Sequence, residues 1–194
     1  MFTGIIKAKA LVKKVESKDG NLFLTIATPK DWVIKSGDSI ATDGVCLTVK
    51  KVNKNSYITE LMPETLKKTY FSKIVPKELN LEQSLRLSDR MDGHFVFGHV
   101  DAFGKIETVK PAGRAKIYKI SFPRKFRKLV TEKGSIAVDG ISLTIVSVSK
   151  QCFSVSLVDY TLSHTTLGSK QPGDMVNLEF DMLAKYLKTL ILKK

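Results

Sequence analysis

The sequence predicts an all-β chain made of two small antiparallel barrels in tandem, followed by one C-terminal α-helix. Three observations predict it. The stretch Ser39-Ile40-Ala41-Thr42-Asp43-Gly44-Val45-Cys46-Leu47-Thr48-Val49 returns 96 positions later as Ser135-Ile136-Ala137-Val138-Asp139-Gly140-Ile141-Ser142-Leu143-Thr144-Ile145, with seven of eleven residues identical. Self-similarity at a fixed period marks a repeated structural unit. Both halves are filled by short strand-like runs between Gly- and Asp-rich turns, and no strand leads into a Gly-rich loop and a long helix, so a dinucleotide-binding α/β fold is excluded. The last segment alone is clearly helical in period: Leu183, Tyr186, Leu187, Leu190 and Ile191 share one face, with Lys185 and Lys188 opposite.

The repeat extends well beyond its best-matched stretch. Leu61-Met62-Pro63-Glu64-Thr65-Leu66 matches Leu157-Val158-Asp159-Tyr160-Thr161-Leu162, and Thr69 matches Thr165. With the offset slipped to 95, Phe2-Thr3-Gly4-Ile5 faces Phe97-Gly98-His99-Val100. The expected units are residues 1–95 and 96–181, with 182–194 as the helix. In the first unit, strands are expected over 5–15 and 22–27 around Ser17-Lys18-Asp19-Gly20-Asn21, good hairpin chemistry. A loop or helical turn at Asp31-Trp32-Val33-Ile34 leads to residues 39–49, broken by the sharp Asp43-Gly44 turn. Ser56-Tyr57-Ile58-Thr59-Glu60-Leu61 is the antiparallel neighbour of the strand after that turn, 64–71 a short helix or loop, and Leu79-Asn80-Leu81-Glu82 the closing strand. The second unit repeats the plan: strands over 100–109 and 116–122 around Pro111-Ala112-Gly113, a short helix over 123–131, strand segments within 134–148 and at 153–158, and a closing strand over 175–180. Asp181 stands where an N-cap belongs, and Lys193-Lys194 suits the negative end of the terminal helix dipole.

A hydrophobic content of 43% allows each half a small core, and no apolar run has transmembrane length. The N-terminal residues lack the pattern of a signal peptide, and Cys46 and Cys152 occupy non-equivalent repeat positions without a CxxC, so a cytoplasmic chain with reduced thiols is expected. The net charge of +13 raises nucleic-acid binding as a reading. Against it, the lysines are spread along both halves, five of 32 basic residues are arginine, and aromatic residues are not interleaved with them; the densest cluster is Arg124-Lys125-Phe126-Arg127-Lys128.

Few residues suit acid–base or nucleophilic work. His94 and His99 lie at the joint between the units, beside Asp92 and Asp101. On a strand, residues five apart point to opposite faces, and no third ligand stands at usual spacing, so no metal is expected. His99 falls in the slot filled by Gly4 in the first unit, so the repeat holds an imidazole in one half only. The second asymmetry is Cys46 against Ser142, each after the Asp-Gly turn and before Leu-Thr. These are either small packed residues or a thiol and a hydroxyl at equivalent ligand sites. Asp139 either polarises Ser142 across the turn or makes an Asx-turn with it.

Met1-Phe2-Thr3-Gly4-Ile5, residues 43–49, the two-histidine segment 93–101, residues 139–145 and Thr165-Thr166-Leu167-Gly168 together resemble the riboflavin synthase alpha chain family over the whole chain. The resemblance implies two six-stranded Greek-key barrels and a C-terminal helix that builds a homotrimer. It implies a cofactor-free dismutation of two 6,7-dimethyl-8-ribityllumazine molecules by transfer of a four-carbon unit, with association with lumazine synthase as a further possibility and neither nucleic acid nor membrane as partner. Donor and acceptor are then the same molecule, which accounts for a duplicated site. The resemblance places the first site at Gly4, Ile5 and Ile6, at Cys46, Leu47 and Thr48, and at Glu60, Leu61, Met62, Pro63, Glu64 and Thr65. It places the second at Gly98, His99 and Val100, at Lys133, at Ser142, Leu143 and Thr144, and at Ser156, Leu157, Val158, Asp159, Tyr160 and Thr161. His99 is the leading acid–base candidate, with Cys46, Ser39, Ser142, Asp139, Lys133 and Asp181 as further catalytic candidates. Asp43 replaces a usual Asn, Asp159-Tyr160 a usual Pro-Glu, and Asp92 a common Gly. The alternative within the same fold is a lumazine- or flavin-binding antenna without chemistry. Because no metal-ligand spacing or phosphate loop is present, riboflavin formation should survive exhaustive dialysis against a chelator; a loss restored by zinc would assign His94 and His99 to a metal.

Overall fold

The computed structural model describes residues 1–191, so Lys193 and Lys194 at the end of the terminal helix lie outside the described residues. The first unit contains β1 (Ala8–Lys18), β2 (Asn21–Ala27), β3 (Ser39–Thr42), β4 (Val45–Asn53), β5 (Ser56–Leu61) and β6 (Glu78–Gln83). The second contains β7 (Ala102–Ala112), β8 (Ala115–Ser121), β9 (Ser135–Val138), β10 (Ile141–Val148), β11 (Cys152–Leu157) and β12 (Met175–Phe180). Helices α1 (Pro63–Lys68) and α2 (Asp159–His164) occupy equivalent places, and α3 (Met182–Ile191) follows β12. Each unit closes into an antiparallel barrel with the same strand order, β1-β2-β5-β4-β3-β6 and β7-β8-β11-β10-β9-β12.

Period-2 alternation builds the cores. Leu22, Leu24 and Ile26 of β2 and Val45, Leu47 and Val49 of β4 point inward, where they meet Tyr57, Leu61, Leu79 and Leu81. Cys46, Thr48 and Lys50 consequently lie on the outer face of β4. The second barrel packs Tyr118, Ile120, Ile136, Ile145, Phe153, Val155 and Phe180 in the same manner. Strand β1 begins at Ala8, later than the expected residue 5, because the preceding segment is used to bridge the two barrels. Pro111 and Ala112 pair with Lys116 and Ala115 within the β7–β8 hairpin instead of forming its turn. They stand on its exposed outer arm, where a missing amide hydrogen costs little. Residues 124–129 form 3-10 turns.

The barrels are joined back to back at their Asp-Gly turns. Asp43 and Gly44, like Asp139 and Gly140, all have positive φ, the pattern of a type I′ hairpin turn. A Cβ on Gly44 would stand 2.6 Å from the Gly140 nitrogen, and one on Gly140 2.8 Å from the Gly44 nitrogen, so only glycine permits this approach. Two asparagines cross the joint. Asn80 Nδ2 donates to the Asp139 carbonyl and Asn177 Nδ2 to the Asp43 carbonyl, each at 3.0 Å. Their Oδ1 atoms accept from the Thr166 and Tyr70 amides at 2.8 and 3.0 Å.

The two buried aspartates are served differently. Asp139 accepts from the Asn177 amide at 2.7 Å and pairs with Lys170 at 2.7 Å. Asp43 accepts from the Asn80 amide at 2.7 Å and from the Tyr70 hydroxyl, both neutral donors. Burial, then the Asp139 charge, pushes the Asp43 pKa up, against the opposing pull of Lys170, Tyr70 and Asn80. A carboxyl whose folded pKa is raised stabilises the fold in full below its unfolded pKa of about 3.9 and loses that contribution as the pH rises through the folded value. Asp43→Asn is therefore expected to flatten the decline in melting temperature as pH rises from acid towards neutral, measured by thermal unfolding across that range; a parallel decline in both proteins would show that Asp43 does not titrate in the fold.

Candidate functional site

The residues before each barrel cross to the other one. Phe2 and Val96 form an antiparallel bridge, Phe2 N–H to Val96 O at 2.7 Å and Val96 N–H to Phe2 O at 3.1 Å. From there the two segments diverge. The Gly4 carbonyl accepts from the Ser142 amide of the second barrel at 2.8 Å, and the Gly98 carbonyl accepts from the Cys46 amide of the first at 2.9 Å. Ile6 packs on the second core and Val100 on the first. The expected grouping is thus corrected: Gly4, Ile5 and Ile6 lie with Ser142, and Gly98, His99 and Val100 lie with Cys46. The internal alignment also shifts by one, since Gly4 corresponds to Gly98 and Ile5 to His99. Cβ atoms on Gly4 and Gly98 would stand 2.7 Å from Ser142 Cβ and 2.5 Å from Cys46 Cβ, so the exchange also depends on glycine.

Glutamates on the closing strands hold these segments. Glu82 accepts from the Thr3 amide and hydroxyl at 2.7 Å each and from the Gly4 amide at 2.9 Å. Glu179 accepts from the Phe97, Gly98 and His99 amides at 2.7, 2.9 and 3.1 Å. Both are buried, and desolvation is the largest influence, raising both pKa values against the pull of these N–H donors. The outer polar residues of each closing strand are buried in two ways: Asn80 and Asn177 bond to the other unit, while Glu82 and Glu179 hold the lead segment of their own.

Each barrel therefore presents one outer face of similar design. On the first, Ser39 of β3 pairs with Thr48 of β4, Ala41 pairs with Cys46, and Glu60 lies outward on β5, ion-paired to Lys50 and hydrogen-bonded to Asn21. Those bonds and the Lys50 charge lower the Glu60 pKa. Leu61 points into the core; Met62 precedes α1, which carries Pro63, Glu64 and Thr65, and Glu64 pairs with Lys68 at 3.1 Å. On the second face, Ser135 pairs with Thr144 and Ala137 with Ser142; Leu143, half-buried, packs on the core, and Ser156 is exposed on β11. Leu157 is buried, Val158 precedes α2, and α2 carries Asp159, Tyr160 and Thr161, with Tyr160 stacked on His164 at 4.0 Å between ring centroids. Lys133 adopts positive φ at the turn before β9, and its amide donates to Ile145 O.

Sequence reasoning weighed His94 only as a metal ligand and gave it no place at either site. Its Nδ1 and Ser142 Oγ share a 2.7 Å hydrogen bond, and its amide donates to Thr3 O at 3.1 Å. Burial lowers its pKa, partly offset by the negative charge of Asp181. The imidazole is thus kept neutral further into acid than usual. Asp181 also caps α3, Oδ1 accepting from the Leu183 amide at 2.9 Å. Asp139 does not face Ser142: it is fully buried, with its carboxylate on Asn177 and Lys170. Glycine is required beside His94, because a Cβ on Gly93 would lie 2.0 Å from Thr3 O. What the segment packs against was not legible.

A family model described as the lumazine binding domain matches residues 3–84 and 97–181. Proteins named riboflavin synthase are similar over essentially the full length. The one from Actinobacillus pleuropneumoniae is 39% identical, with 100% of this chain and 91% of the relative covered. That from Photobacterium phosphoreum is 40% identical, with 99% and 89% covered. That from Mycobacterium tuberculosis (strain ATCC 25618 / H37Rv) is 41% identical, with 98% of each covered. Among solved structures, LumP complexed with riboflavin superposes with a TM-score of 0.86 over 93% of this chain and 99% of that one, at 20% identity. LumP complexed with 6,7-dimethyl-8-(1'-D-ribityl) lumazine gives 0.83 over 92% and 98%, also at 20% identity, a likeness that concerns the fold. Two lumazine binding domains in tandem, together with full-length similarity to these enzymes, mean that the chain belongs to the riboflavin synthase family.

Proposed function

We infer that the protein catalyses the riboflavin synthase reaction, the last step of riboflavin biosynthesis. Two 6,7-dimethyl-8-ribityllumazine molecules exchange a four-carbon unit, giving riboflavin and 5-amino-6-ribitylamino-2,4(1H,3H)-pyrimidinedione. The observation that carries this reading is that one outer face is built twice, each face completed by the other repeat's lead segment. A reaction whose donor and acceptor are the same compound needs two related sites, and holding both molecules in reacting geometry supplies much of the rate.

The first face would use Cys46, Thr48 and Ser39 with His99 and Val100 at its edge, and the start of α1 for the ribityl chain. The second would use Ser142 and Thr144 with Gly4 and Ile5 at its edge, Lys133 beside β10, and the start of α2. The 7-methyl protons of the lumazine are unusually acidic because the carbanion delocalises into the ring, so a modest base suffices. His99 is our candidate base on the first face. On the second, neutral His94 takes up the Ser142 proton as the hydroxyl reacts or activates water, and Asp181 stabilises the imidazolium that forms. Backbone N–H groups at the strand edges would stabilise charge on the pyrimidine carbonyls. Cys46→Ser, His99→Ala and His94→Gln are expected to lower turnover by about 10²–10⁴-fold, with Cys152→Ser near wild type, since Cys152 opens β11 and pairs with Ser121 away from either face. Riboflavin absorbance in steady-state assays reads this; equal small losses in all four would remove the assignment. No riboflavin from the unmodified protein, with lumazine still bound, would favour the antenna reading.

Assembly as a homotrimer through α3 completes the proposal. Leu183, Tyr186, Leu187, Leu190 and Ile191 are 58 to 69% exposed, while Lys185 on the other side pairs with Asp101 at 2.7 Å and ties the helix to its own barrel. Burying one such side chain fully stabilises by about 1.5–3 kcal/mol, so several helices packed together offset the cost of association. The first face of one subunit would then meet the second face of another. Free Cys46 and Cys152 support a cytoplasmic setting, and no helix among the described residues is long and apolar enough to cross a membrane. Association with lumazine synthase remains a proposal resting on the resemblance alone. Deleting residues 182–194 is expected to give a folded monomer that binds lumazine and makes almost no riboflavin, followed by sedimentation and the same assay. A fully active monomer would refute the shared site, and a persistent trimer would refute the role of the helix.

A further inference from the structure

A cavity of about 660 Å³ opens on the first barrel, on the side of β3 away from Cys46 and Thr48. β3 has β4 on one side and β6 on the other, and the cavity is walled by Gln83 of β6, by the loops before β3 and after β6, and by Ser39 of β3, the one wall it shares with the first lumazine face. Trp32, the single tryptophan of the chain, forms one wall. The ring is half-buried, packed against the barrel core on one side, and its loop is anchored by Gln83 Nε2 donating to Val33 O at 3.4 Å.

Three cations, Lys7, Lys35 and Arg86, line the same cavity, and among the described residues none of them is in an ion pair. The two carboxylates present are engaged in their own turns. Asp38 Oδ2 accepts from the Lys35 amide and Asp89 Oδ2 from the Arg86 amide, each at 2.8 Å. Each turn thus presents its cation on the side chain while its acid closes the backbone. An indole beside three unpaired cations, in a volume within the ordinary range for small-molecule sites, matches a flat base carrying a phosphoryl group.

We propose that this cavity is a further ligand site, adjoining the first lumazine face at Ser39 and extending away from Cys46 and Thr48, that takes a mononucleotide: the base lies against Trp32 and the phosphoryl group among Lys7, Lys35 and Arg86. The single tryptophan makes the test direct and independent of turnover. AMP, adenosine and inorganic phosphate are titrated into the full-length protein while tryptophan emission is followed. AMP should quench saturably, with adenosine and phosphate each weaker by about tenfold or more, since each keeps half of the contacts. Lys35→Glu with Arg86→Glu should weaken AMP by about tenfold or more while riboflavin formation, which also reports folding, is unchanged. Trp32→Phe should abolish the signal and keep AMP binding measurable by equilibrium dialysis. Quenching by adenosine as strong as by AMP, phosphate as tight as AMP, or no AMP response would overturn the proposal. So would displacement of AMP by the lumazine, which would put AMP on a lumazine face; failure to form riboflavin in every protein would instead strike the catalytic reading and leave this site standing.

Discussion

The contact of Gly44 with Gly140 is the constraint on which the rest of the molecule depends. Two Asp-Gly turns meet backbone to backbone, with no room for a Cβ on either side. That approach lets each barrel's asparagine reach the other's turn carbonyl, and it brings the lead segment of each unit, held by its own closing strand, onto the other barrel's strand after the turn. Interiors are packed too densely to absorb even one additional methyl at such a point. Cys46 and Ser142 stand two residues after those glycines, so the joint also sets where each meets its Gly98 or Gly4 partner.

Duplication gave the two halves the same plan, and the joint shows where they have since diverged. Tyr70 serves Asp43 with a neutral hydroxyl, and Lys170 serves Asp139 with a charge. Thr166, the counterpart of Tyr70, is too short to reach an aspartate, and the lysine fills its place. The faces differ in a similar way. Cys46 sits beside the segment carrying His99, and Ser142 is bonded to His94. Two sites that must treat identical molecules unequally, one as donor and one as acceptor, need such differences. The Glu64–Lys68 ion pair on α1 against the Tyr160–His164 stack on α2 is another.

Much of this was legible in order along the chain. Alternation in Leu22, Leu24 and Ile26, or in Val45, Leu47 and Val49, depends on a strand having one wet and one dry face, which is a local property. The turn at Asp19-Gly20 and the amphipathic period of α3 are likewise local. Pro111 misled because a proline in an exposed hairpin arm looks like a turn residue until the pairing with Lys116 is seen. Leu79-Asn80-Leu81-Glu82 and Val176-Asn177-Leu178-Glu179 carried a usable signal. An Asn and a Glu recur on the outer side of both closing strands, where solvent alone would not demand the same polar pair twice.

By itself the sequence determined the duplication, the all-β class, the strands and their inward faces, the terminal helix and the family, because each rests on periodicity or on matches within the linear order. The tertiary structure decided which lead segment completes which face. It also decided that Asp139 belongs to the joint with Lys170 and not to Ser142, and that His94 is the partner of that hydroxyl. These outcomes turn on contacts between residues far apart in sequence, Gly4 with Ser142, Gly98 with Cys46, His94 with Ser142 and Lys170 with Asp139, set by two closed barrels docking through a pair of glycines, and no local pattern records how two closed surfaces meet.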